Sequence, residues 1–214
     1  MSAVLENPQT ETKEVWLVKN GRNERTKIIF TPEFEEEIYS SGRYEIVYGE
    51  IIERPMPSPI HGRIQAKITA KLVQFSEELN LGEVYTETHF QFADKLVRVP
   101  DIAFISFEKF PASGEDESSR WHIAPDLAIE VISPTDDYEN VQEKIGEYFT
   151  FGVNQVWIIS PVTKTLTIYR SIKNVTILTE EDELICEDIL PDFRMRLSEI
   201  FSVPNSRKNR NENS

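Results

Sequence analysis

Residues 124–134 read APDLAIEVISP, a short and nearly continuous apolar run with one acid, Glu130, near its centre. A run of this length between prolines is typical of a strand buried on both faces in the middle of a sheet. Alternation puts Leu127, Ile129 and Val131 on one face and Asp126, Ala128, Glu130 and Ile132 on the other. Downstream, residues 136–152, DDYENVQEKIGEYFTFG, read as a helix closed by Gly152. NQVWIIS at 154–160 is then a second strand. Strand, helix and strand in this order predict a right-handed crossover and a locally parallel pair.

Upstream, residues 82–92 (GEVYTETHFQF) and 95–106 (KLVRVPDIAFIS) are rich in β-formers and predict a hairpin joined near Ala93-Asp94. Read as one strand, the second segment places Val97, Val99, Asp101, Ala103 and Ile105 in a single row, so Asp101 interrupts an apolar face. Before these, RIQAKITAKLVQFSEEL at 63–79 has Ile64, Ile68, Leu72 and Phe75 at helical spacing. RYEIVYGEIIERP at 43–55 predicts a hairpin turning at Tyr48-Gly49. Thr31, Pro32 and Gly42 bracket a short capped helix. TLTIYR at 165–170 reads as another strand, residues 172–187 as a further pair, and LSEIF at 197–201 as a terminal helix. The expected architecture is mixed α/β, a mixed central sheet flanked by helices, with an extra N-terminal hairpin. Residues 1–28 are expected as an arm holding at most one strand, 29–203 as the folded domain, and 204–214 as a disordered polar tail.

An ionised acid in a core-like strand is costly unless it is paired or bound to a cation. Asp101 and Glu130 share this setting on neighbouring strands. Two such carboxylates can hold one hard cation such as magnesium, which favours one or two carboxylates together with waters and phosphate oxygens. That chemistry serves phosphodiester hydrolysis. Lys144 sits beside Ile145 and one turn before Tyr148, on the border of the helix's apolar face. Its ammonium either points at the two acids or snorkels to solvent to pair with Asp137, Asn140 or Glu147.

The bulk properties set limits. The 214 residues carry a net charge of −14, with hydrophobic residues at 39%. That suits one domain of ordinary size. The mean field repels nucleic acid, so a DNA-acting site would need a local cation. Cys186 is the single cysteine, which excludes an intrachain disulfide. His89 and His122 lack metal spacing with it, which argues against structural zinc. Neither a signal peptide nor a run of the ~20 apolar residues that cross a bilayer is visible. A cytoplasmic location without membrane association is therefore expected.

Five separated blocks, RYEIVYGEIIERPMPSPIHGRI, VPDIAFIS, PDLAIEVISPTDD, the helix with Lys144 and Tyr148, and GVNQVWIISP, are together similar to the Uma-two family. This family of restriction-endonuclease-like proteins is abundant in cyanobacteria and assigned to the PD-(D/E)XK nuclease superfamily. The resemblance covers roughly residues 30–170. It implies a restriction-endonuclease-like core and a magnesium- or manganese-dependent endonuclease acting on DNA. In that pattern Asp101 matches the acid of the PD element and Glu130 the acid of the (D/E)XK element. The lysine position of that element is Ile132, and Lys144 would supply the migrated lysine. An accessory acid is expected from Glu50, with Glu45 as the other choice. His61 either contacts phosphate or holds its turn. A homodimer follows by analogy with enzymes that cut both strands. The competing expectation is a catalytically impaired binding module that acts through protein or nucleic-acid partners.

Overall fold

The computed structural model describes residues 13–19, 24–112, 114 and 120–203. The tail expected at 204–214 lies outside them. The first strands are β1 (Lys13–Lys19) and β2 (Glu24–Phe30), followed by helix α1 (Pro32–Ser41) and strands β3 (Tyr44–Val47) and β4 (Glu50–Glu53). Helix α2 (Pro59–Leu79) leads to β5 (Gly82–Thr86), β6 (Phe90–Ala93), β7 (Leu96–Arg98), β8 (Ile102–Ser106) and β9 (Leu127–Val131). Helix α3 (Tyr138–Thr150) precedes β10 (Gln155–Ser160), β11 (Thr165–Ser171), β12 (Asn174–Thr179), β13 (Glu183–Ile185) and β14 (Arg194–Arg196). Helix α4 (Leu197–Phe201) ends the described chain.

The fold is mixed α/β, as expected, but its strands divide between two six-stranded sheets, with β13 and β14 forming a separate pair. One sheet has the order β2-β1-β4-β3-β7-β6 and the other β12-β11-β10-β9-β8-β5. The 95–106 segment is thus two strands in different sheets. Pro100 is the physical reason, because it offers no N–H to a ladder and ends β7's pairing before β8 begins. The 82–92 segment divides likewise, and Glu87 between its halves adopts a left-handed backbone with φ 51. The hairpin at 93–96 survives as β6–β7. The arm contains two strands where at most one was expected. They pair with each other, and β1 runs parallel to β4. In the 172–187 segment, β12 joins β11 and β13 joins β14, so the two strands do not pair with each other.

The middle of the second sheet is as the sequence implies. β9 lies between β8 and β10, antiparallel to the first and parallel to the second, with α3 as the crossover. Its Leu127, Ile129 and Val131 face a core completed by Ile64, Ile68 and Leu72 of α2. Each of those three helix side chains is fully buried and stabilises the fold by about 1.5–3 kcal/mol. The opposite face packs Ala128, Val156 and Ile158 against Ile145 and Tyr148 of α3. Glu130 belongs to that second face.

Candidate active site

β9 carries Glu130 towards α3, and β8 begins one residue after Asp101. The β8–β9 ladder pairs Ala103 with Ala128 and Ile102 with Ile129, a register that sets Asp101 alongside Glu130. Both acids line one cavity of about 670 Å³, shared with Arg54, His61, Lys144 and Tyr148.

Asp101 is buried and fully engaged. Its Oδ1 accepts a hydrogen bond from Arg54 Nη2 at 2.8 Å, and its Oδ2 accepts one from the Val131 amide at 2.7 Å. His61 Nε2 stands 3.3 Å from Oδ2. Burial pushes its carboxyl upward, but His61, Arg54 and the Val131 N–H outweigh burial and hold it below the usual carboxylate range. His61, in the first turn of α2, is shifted upward. Burial works against its charge, and Asp101 more than compensates.

Glu130 is the reverse case. Its Oε1 accepts the Tyr148 hydroxyl at 2.6 Å and faces Lys144 Nζ at 2.8 Å. Burial nevertheless dominates, Asp101 and Glu45 add repulsion, and the carboxyl is pushed up to about 7. Lys144 is shifted upward, because Glu130 and Glu45 outweigh its own burial. It is a fixed cation at neutral pH. Lys144 turns inward instead of to Asp137, Asn140 or Glu147: besides Glu130, its ammonium lies 2.8 Å from Glu45 Oε1.

Glu50, expected to supply the accessory acid, sits at the turn end of the hairpin, ion-pairs with Arg25 of β2 and does not line the cavity. Glu45 is the buried member, accepting from the Val99 amide at 3.0 Å and from Arg98 Nη1 at 2.8 Å besides facing Lys144. Arg98 in turn donates through Nε to Glu147 of α3 at 2.6 Å. Two cations, Arg98 and Lys144, and three acids, Glu45, Glu130 and Glu147, therefore form one connected network across β3, β7, β9 and α3.

Arg54 and Glu87 were missed. Arg54 Nη1 bonds Glu87 and donates to the Gly42 carbonyl at 2.9 Å. Alternation did carry a signal: Ile52 lies opposite Glu45, so Arg54 shares Glu45's face. Glu87 lies in a turn and gives no such signal. Among the described residues, His61, Glu87 and Asp101 form a group able to hold a metal, with ligand atoms all within 4.8 Å of one another. Glu130 is outside that group.

The carboxylate oxygens of Asp101 and Glu130 suit a hard divalent ion such as magnesium or manganese. Burial keeps Glu130 reluctant to ionise even with Lys144 beside it. Asp101, Glu130 and Lys144 thus form an acid pair with an attendant cation, an arrangement able to bind a metal and a phosphate together.

No curated protein matches the chain. Among solved structures, a putative nuclease belonging to DUF820 from Anabaena variabilis ATCC 29413 is similar, with a TM-score of 0.66 at 22% identity. The match covers 74% of this chain and 89% of that one, and it shows the restriction-endonuclease-like nuclease fold. A family model described as "Uma2: Putative restriction endonuclease" matches residues 31–198. With most of its length matched by that model, the chain belongs to the Uma2 family.

Proposed function

We propose that this chain is a metal-dependent endonuclease that hydrolyses DNA phosphodiester bonds, with Asp101 and Glu130 holding a magnesium or manganese ion. The observation that carries the reading is Lys144 Nζ at 2.8 Å from Glu130 Oε1 in the cavity that Asp101 also lines. A lysine arriving from α3 takes the charge position that Ile132 leaves unfilled. When bound, the metal would polarise the phosphoryl group and lower the pKa of an attacking water.

The chain's own residues do the rest. Tyr148 donates to Glu130 and fixes its orientation. Glu45 faces Lys144 and keeps it protonated. Lys144 is a preorganised donor for charge developing on the phosphoryl oxygens. His61 lines the cavity beside Asp101 and is the residue assigned to meet a phosphate. A homodimer, each copy cutting one strand, is part of the proposal by analogy.

The decisive assay is cleavage of supercoiled plasmid with magnesium or manganese, comparing wild type with Asp101→Ala, Glu130→Ala and Lys144→Ala. Loss of about 10²–10³ in rate from Lys144→Ala is expected for removal of one such donor. Cleavage that survives all three changes overturns the site. The runner-up, a binding module that does not cut, draws on the −14 net charge. It predicts no cleavage by wild type with either metal.

A further inference from the structure

We propose that the site takes a single divalent cation, and that the Arg54 guanidinium permanently fills the place of a second. The inference rests on Asp101 and Glu130 being metal-binding acids. Asp101 belongs to two sets of donors. It lines one cavity with Glu130, and it closes the His61–Glu87–Asp101 group, whose ligand atoms lie within 4.8 Å of one another. Two acid sets sharing one aspartate have the outline of a two-ion centre.

In this chain the second set already has its cation. Arg54 Nη2 lies 2.8 Å from Asp101 Oδ1, and Nη1 bonds Glu87 and the Gly42 carbonyl. These acceptors come from three separate segments. Gln65 of α2 braces the same group, donating to Glu87 Oε1 and to the Asp101 carbonyl, both at 2.9 Å. A planar fork held this way is a fixed charge and cannot swing out as a mobile phosphate arm. It also cannot be neutralised, because a guanidinium does not lose its proton in proteins.

The ion pairs agree. Arg54 meets two carboxylates, Asp101 and Glu87, while Arg98 and Lys144 meet Glu45, Glu130 and Glu147 in a separate set. A second ion would have to displace Arg54 from both of its acids. Arg54 is a positioning residue in this account, acting through Asp101.

The experiment is a manganese titration of the full chain, with free ion read by electron paramagnetic resonance and stoichiometry by calorimetry. Wild type should bind one ion, and Glu130→Ala none. Arg54→Gln should bind two, the second being lost again in Arg54→Gln/Glu87→Gln. Arg54→Lys, which restores a point charge, should return to one. Two ions in wild type, or one in Arg54→Gln, overturns the proposal. If wild type binds one ion that Glu130→Ala loses, and Arg54→Gln still binds one, the Arg54 assignment falls while the nuclease reading stands. If wild type binds none, both fall. Should Arg54→Gln not fold, Glu87→Gln decides. Its stoichiometry and affinity should match wild type because Glu87 serves Arg54, and loss of the ion overturns the assignment.

Discussion

Lys144 on α3 and Glu130 on β9 meet at 2.8 Å, so the crossover helix delivers its charge to the strand it has just left. The contact is possible because β9 and β10 are parallel neighbours and α3 packs on the face of the sheet that carries Glu130.

Divalent metal should stabilise the protein through these acids. At a free concentration about a hundred times Kd, a ligand specific for the folded state adds about 2.7 kcal/mol. In a chain of this size that corresponds to about 5–10 °C in Tm. Differential scanning fluorimetry with manganese should show this rise in wild type and none in Asp101→Ala or Glu130→Ala.

Stability should fall as pH rises towards neutrality. Glu130 titrates at about 7 in the folded chain against about 4.3 when unfolded. Its contribution is complete below the unfolded value and is lost as pH climbs through the folded one. Asp101, shifted downward, acts only in more acid solution, and Lys144, shifted upward, only in strong alkali. Within the window from about 4.3 to about 7, His61, shifted upward, adds to the loss and His89, lowered by burial, opposes it, so the Glu130 share is read from the comparison with Glu130→Gln. Denaturant unfolding at pH 5 and pH 7.5 should differ by an amount on the order of 2 kcal/mol attributable to this group, and Glu130→Gln should remove that difference. Metal affinity should move oppositely, rising up to about pH 7 as the competing proton leaves.

Glu45 and Glu50 should behave unlike each other. Glu45→Ala takes one of their two buried acids from both Arg98 and Lys144 and leaves the Val99 amide unpaired, a loss of about 3–5 kcal/mol. Glu50→Gln removes a partly exposed ion pair and should cost under about 1 kcal/mol. Plasmid cleavage by Glu50→Gln should match wild type. Equal losses of stability from the two changes would contradict the placement of Glu45 inside the network.

Tyr148→Phe removes the 2.6 Å hydrogen bond to Glu130. A hydrogen bond to a charged group contributes about 1.5–3 kcal/mol, and this one favours the ionised acid. The variant's metal-affinity profile should shift to higher pH while its plateau stoichiometry stays that of wild type. Titration calorimetry across pH 5.5–8.5 reads both.

Local signals made much of this molecule legible. Thr31 and Gly42 cap α1 as their residue types demand, Asp137 caps α3, and the apolar run around Glu130 lies at the middle of a sheet. The break at Pro100 was equally visible, yet unbroken alternation from Val97 to Ile105 concealed it. Partition of the strands between two sheets depends on non-local packing that no short window contains. The site divides similarly. Asp101, Glu130 and Lys144 stand out because each interrupts or borders an apolar face. Glu87 does not, since it sits in a turn where acids are common and gains its place only through Arg54 and Gln65. The choice between Glu45 and Glu50 turned on which strand of the hairpin pairs with β7, β3 and not β4, a tertiary fact.

The most direct measurement is anomalous diffraction from crystals soaked in manganese. The account predicts one manganese peak, in contact with carboxylate oxygens of both Asp101 and Glu130, with Lys144 beside it. A peak bound by other residues, or none at these two acids in ion-saturated crystals, contradicts it.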